Sequence, residues 1–113
     1  MEGKLVTSDD LKGAPFATDG LVDYQTGSVV SRVVLKQRTG SVTAFAFDQG
    51  EELSEHTVPH EALIQVIDGT AEISISGTRH RVAAGEMISL PGGQPHAVRA
   101  ITRFKMILVM LKA

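Results

Sequence analysis

The chain has 113 residues, of which 42% are hydrophobic and 21% charged, with a net charge of −2 and no cysteine. That is the size and composition of one compact domain with a real core, and it leaves no room for a second. Disulfides, thiolate metal sites and a cysteine nucleophile are excluded, and the lack of a long basic run argues against nucleic acid as a partner.

Taken in order, residues 1–20 mix charge with glycine and Pro15 and predict an irregular arm or short first strand, lying on a neighbouring subunit, ahead of a single domain over 21–113. Ser8 is placed to cap one helical turn over Ser8–Lys12. The opening MEGKLVTSDDLKG has no apolar signal-peptide stretch, and no run reaches the ~20 apolar residues of a membrane span. The expectation is a cytoplasmic protein with no membrane partner. From Ser28 the pattern becomes β: Val29, Val30, Val33, Val34 and Leu35 form one strand and Ser41–Asp48 a second, joined as a hairpin at Thr39–Gly40. Thr70–Ser76 alternates cleanly, with Ala71, Ile73 and Ile75 on one face. The chain turns at Ser76–Gly77 and returns along Arg79–Val82, and Met87–Leu90 leads into Pro91-Gly92-Gly93.

The last strand, Arg103–Leu111, is apolar on both faces. Phe104, Met106, Leu108 and Met110 share one side and Lys105, Ile107, Val109 and Leu111 the other. Such a strand needs cover on both sides, so one face is expected to fill a core and the other to form a homodimer interface. Many short strands, with 11 glycines gathered largely at corners, indicate an all-β closed sandwich or jelly-roll barrel.

Two stretches carry the functional signal. The first runs from Gly50 through His56 to Gly69, and the second, Gly85 to His96, fits G-x5-P-x-G-x2-H through Gly85, Pro91, Gly93 and His96. In this paired form the sequence resembles the cupin superfamily, of RmlC-like jelly rolls. The first family motif, G-x5-H-x-H-x3(or 4)-E-x6-G, is matched at Gly50, His56 and Gly69. The resemblance covers roughly residues 28–111 and implies a cupin-type jelly-roll β-barrel, the double-stranded β-helix. It also implies a site inside the barrel. Typical members hold a metal there with three histidines and a glutamate. Here Val58 stands for the second histidine, Ala62 for the glutamate, and Ala100 for the asparagine that often closes the second motif.

A histidine at a neighbouring position, His60, raises the possibility of a centre made by His56, His60 and His96. Neutral imidazole suits borderline divalent ions, so iron, zinc, nickel, copper or manganese all enter as cofactors. On a straight strand residues four apart are separated by ~13 Å, so His56 and His60 share an ion only if the chain bends, for which Pro59 is suited. The other reading is that each histidine is simply packed and hydrogen-bonded. His80, beside a turn, reads as a surface residue. With Ala62, Ile64 and Val66 facing inward, Glu61 points away, and Glu51, Glu52 and Glu55 read as a solvated loop. Val58, Ala62, Ile64, Phe104 and Met106 are the expected pocket wall, dry enough for an apolar small molecule. Two functions remain open: a metal-dependent enzyme of oxygenase or isomerase type, and a non-catalytic module binding a small molecule without metal.

Overall fold

In the computed structural model, which describes residues 10–112, the chain builds nine strands: β1 Val29–Gln37, β2 Gly40–Phe47, β3 Glu52–His56, β4 Glu61–Asp68, β5 Thr70–Ile75, β6 Thr78–Ala83, β7 Met87–Leu90, β8 His96–Ala100 and β9 Phe104–Leu111. They form two antiparallel sheets, one of five strands in the order β1-β2-β9-β4-β7 and one of four in the order β3-β8-β5-β6. The all-β jelly-roll expectation holds, but the closed barrel does not form. Among the described residues no strand ladder joins one sheet to the other. The cause lies at the corners. At Gly50 (φ +83°) and Gly85 (φ +92°) the chain crosses between sheets in a left-handed turn that glycine tolerates. Each crossing turns the strand direction without carrying the ladder across, so β1, β7, β3 and β6 remain edges.

The core lies between the sheets. Alternation delivers Ala62, Ile64 and Val66 from β4, Ala71 and Ile73 from β5, and Phe104 and Met106 from β9, all 6% exposed or less. Phe47 stacks on Phe104 with ring centroids 4.5 Å apart. Strands β3 and β8 are not evident from the sequence pattern. The acidic run Glu51–Glu55 reads as loop because it has one apolar residue, Leu53, yet Glu52–His56 pairs with β8.

The outer face of the five-stranded sheet is half covered by the chain itself. Leu11, Leu21, Val22 and Tyr24 pack on Val30, Val34, Ala44, Ala46 and Ile107. The leading segment, as far as it is described, therefore lies on its own sheet rather than on a neighbour. It runs through a 3-10 turn at Thr18–Gly20 and forms no strand; the cap expected at Ser8 lies outside the described residues. Polar contacts fix it in place. Lys105 Nζ donates to the Asp19 carbonyl at 2.6 Å and sits 4.9 Å from the Tyr24 ring centroid, and the Tyr24 hydroxyl donates to Asp68. Burial and that carboxylate push the Tyr24 phenol well above its ordinary range. Lys105 is thus buried on a face where a lysine would otherwise be wet.

Candidate functional site

His56 ends β3 and His96 begins β8, and the two stand directly opposite each other in the ladder. A bulge makes this possible. Between Leu53↔Val98 and His56↔His96, β3 advances three residues while β8 advances two. Side chains alternate along a strand, so without the extra residue His56 would face away from Leu53. With it, both face the space between the sheets. The rings meet edge to face, centroids 4.4 Å apart at 65°.

The turn that delivers His96 is clasped to the corner that follows His56. Gly93 N–H donates to the Val58 carbonyl at 2.8 Å, and Gly92 N–H donates to Glu61 Oε2 at 2.8 Å. A Cβ at Gly92 would lie 2.5 Å from the Pro59 carbonyl oxygen, so the close approach needs glycine. On the far side, Ser76 N–H donates to the Pro95 carbonyl and Ser76 Oγ donates to Gln94 Oε1. The two sequence motifs thus meet through the backbone, and Glu61 is spent on that clasp, outside the cavity.

Between the sheets, beneath the two rings, is a cavity of about 40 Å³ lined by Leu53, His56, Val58, Ala62, Ile64, Leu90, His96, Val98, Met106, Leu108 and Met110. At roughly 10–15 Å³ per water this space suits only a few atoms. His56 is exposed, so it stands at the mouth, whereas His96 is 7% exposed. Of the expected wall, Val58, Ala62, Ile64 and Met106 are in the lining; Phe104 is buried behind it against Phe47. Leu108 and Met110 follow from the alternation of β9. Leu53 and Val98 sit on the two unanticipated strands, and Leu90 ends β7. His80 lies elsewhere, on a surface hollow of about 430 Å³ with Arg81, Glu86 and Met87.

The hydrogen bonding of the two histidines differs. His56 Nδ1 lies 2.9 Å from the Ser54 carbonyl oxygen. A carbonyl only accepts, so Nδ1 carries the proton, and in the neutral ring Nε2 is left as the acceptor. His96 Nδ1 is buried without a hydrogen bond of normal geometry, and the one backbone group that acts on the ring is that of Gln94. Burial holds the His96 pKa below the ordinary imidazole range, the neighbouring His56 adds to this, and the Gln94 backbone opposes it.

A divalent metal centre needs at least three protein donors at about 2.0–2.2 Å. The chain does bend at Pro59 and His60, but His60 is not in the cavity lining. No three His, Asp or Glu side chains are grouped to hold an ion among the described residues. The triad of His56, His60 and His96 is therefore not assembled, and two imidazoles in an apolar wall do not fit such a centre.

Among curated proteins none matches the sequence. Solved structures do. A conserved protein of unknown function from Streptococcus pyogenes is 32% identical over 88% of each chain, with a TM-score of 0.85. A Cupin 2 conserved barrel domain protein from Leptotrichia buccalis is 34% identical over 83% of this chain and 46% of its own, with a TM-score of 0.79. A cupin superfamily protein from Desulfitobacterium hafniense shares the fold at 22% identity and a TM-score of 0.85, covering 90% of this chain and 94% of its own. The family model described as the cupin domain matches residues 44–111, the span that holds both motifs and the cavity between them, and the chain belongs to the cupin superfamily.

Proposed function

We propose that this cupin binds a small organic molecule in the cavity between its sheets, with His56 and His96 as the polar head of the site and no metal in the recognition. The observation that carries the reading is the buried Nδ1 of His96, without a hydrogen bond of normal geometry, beside an otherwise apolar wall. A buried polar atom without a partner costs about 1–3 kcal/mol, and a ligand held at the His pair is one way to offset it. Leu53, Val58, Ile64, Val98 and Leu108 supply dry surface for an apolar body, while Met106 and Met110, unbranched and polarizable, adapt to its shape. The wall contains no carboxylate, lysine, serine or threonine. This supports binding over acid–base or nucleophilic chemistry and leaves an isomerase or oxygenase reading with the two histidines alone.

The test is a titration of chelator-treated protein with 2-methylpropan-1-ol, followed by methyl NMR. Shifts confined to Ile64, Val98 and Leu108, and weakened in Ala62→Val, are expected. Shifts only on outer-face methyls such as Leu63 and Leu111, or none at all, would reject the site.

For assembly we infer a homodimer formed by the uncovered half of the five-stranded sheet. Supporting it is an outward row across four strands: Leu35 from β1, Val42 from β2, Val109 and Leu111 from β9, and Leu63 from β4. Leu35 and Leu111 are 46% and 61% exposed. An exposed apolar patch of this kind marks a protein–protein contact, and two copies can bury it against each other about a two-fold axis.

A further inference from the structure

We infer that the ligand of the cavity is a neutral molecule carrying a single hydroxyl on a short apolar body, such as a small alcohol. The inference rests on the cavity being the binding site and adds which chemistry it selects.

The lining holds nine apolar side chains and two imidazoles. There is no carboxylate, so an ammonium group entering the cavity would lose its hydration with nothing opposite to neutralise it. Lysine and arginine are also absent, so a phosphate or dicarboxylate meets the same obstacle. Nor do any hydroxyls or amides line the wall, so each extra hydroxyl of a sugar would be desolvated unpaired, at about 1–3 kcal/mol apiece on protein mutational scales. One polar head on an apolar body is what remains.

The tautomer of His56 then decides what that head must do. Its Nδ1 proton is committed to the Ser54 carbonyl at 2.9 Å, so the neutral ring offers Nε2, an acceptor and nothing else. A head that only accepts, such as a nitrile, ether or ketone, leaves the His56 lone pair unmatched and has only the one N–H of a neutral His96 to meet. A carboxylate meets a lone pair. A hydroxyl donates to Nε2 and still keeps lone pairs for whatever His96 presents. The depressed pKa of His96 agrees with a neutral ring at that position. The other titratable or charged groups on the strands and corner around the pair are Glu52 and Glu55 on β3, His60 in the corner, Glu61 and Asp68 on β4, Glu72 on β5, Arg99 on β8 and Lys105 on β9. None of them lines the cavity. Arg99 and Glu72 pair with each other on the outer face.

The experiment compares four molecules with one carbon skeleton at pH 8, where an imidazole is ordinarily neutral: 2-methylpropan-1-ol, 2-methylpropanenitrile, 2-methylpropanoate and 2-methylpropylammonium. Affinity is read from the Ile64, Val98 and Leu108 methyl shifts. The alcohol is expected to bind about three- to tenfold tighter than the nitrile, the worth of one hydrogen bond, and both ions more weakly still. In His56→Phe, an exposed position whose change leaves the core packing alone, the alcohol-to-nitrile ratio is expected to fall to about one; the amide spectrum of the variant verifies its fold. A nitrile as tight as the alcohol, or a carboxylate tighter than both, would overturn the donor requirement while leaving the cavity as a binding site. If no member of the series moves those methyls, the inference and the site reading fall together.

Discussion

His96 is the residue where burial has the clearest consequence for stability. Its folded pKa lies below the imidazole value of about 6.5 that the unfolded chain recovers. As pH falls through that value the unfolded state takes up a proton that the folded state refuses, so stability decreases. The decrease continues until pH reaches the depressed folded pKa, below which both states are protonated. Urea midpoints measured from pH 7.5 down to pH 5 should therefore decline, and the decline should be shallower in His96→Leu. Equal slopes for the two proteins would show that His96 is not held neutral by its surroundings.

Asp48 acts in the same sense at lower pH. It accepts from Gly27 N–H at 2.7 Å, from Arg103 Nε at 2.9 Å and from Gln49 N–H at 2.9 Å. These donors, the Gly27 amide first, hold its pKa at about 2. Its contribution is full above the ordinary carboxylate value and fades as pH drops towards 2. In the wall of the cavity, Ile64→Ala should cost about 2–5 kcal/mol through lost packing, read from urea unfolding.

At the scale of the strand, three bulges explain both the site and much of what the sequence concealed. In β1 the shift between Val33 and Leu35 turns Leu35 outward beside Val42. In β4 the shift between Val66 and Asp68 lets Asp68 sit on the outer side opposite Lys105, within reach of Tyr24. In β3 the shift aims His56 at the cavity. Each bulge breaks the two-residue alternation by which strands are recognised. In Glu52–His56 the bulge falls in a run with one apolar residue, Leu53, so no alternation is left to read, whereas the longer apolar runs of β1 and β4 stay legible despite their bulges and β5 and β9 have none.

The histidine positions were legible too, because the motif spacing around Gly50, His56, Gly69 and Gly85, Pro91, Gly93, His96 is regular. Whether His60 would join them was not, since it depends on how the Pro59 corner folds against Gly92. Two changes test this level. Deleting Glu55 removes the extra residue of β3 and should turn His56 away from the cavity, so the ligand-induced shifts at Leu108 weaken while the amide spectrum stays dispersed. Gly92→Ala forces a Cβ against the Pro59 carbonyl and should cost about 1–3 kcal/mol, measured by urea unfolding. Unchanged stability would mean that the clasp between the two motifs is loose.

For the molecule as a whole, the two sheets divide the labour. The four-stranded sheet turns a charged face outward, where Glu52, Arg99, Glu72 and Arg81 stand side by side across β3, β8, β5 and β6 in alternating sign. Opposite charges directly across a ladder favour this register over a slipped one. The five-stranded sheet turns an apolar face outward, half of it sealed by residues 11–24 and half uncovered, the half proposed above as the dimer interface. Leu111→Glu should therefore shift the mass seen by light scattering from dimer to monomer, with the fold intact. A wild-type protein that is monomeric at high micromolar concentration would contradict the assembly. Among the described residues no helix is long and apolar enough to cross a membrane.

The central claim, a metal-free cavity headed by His56 and His96, is met most directly by a crystal structure of the chelator-treated protein with 2-methylpropan-1-ol. The carbon skeleton is expected between Ile64, Val98 and Met106, with the hydroxyl oxygen at hydrogen-bond distance from His56 Nε2. An ion bonded at about 2.0–2.1 Å by His56, His96 and a rearranged His60, or an alcohol found only on the outer sheet face, would contradict it.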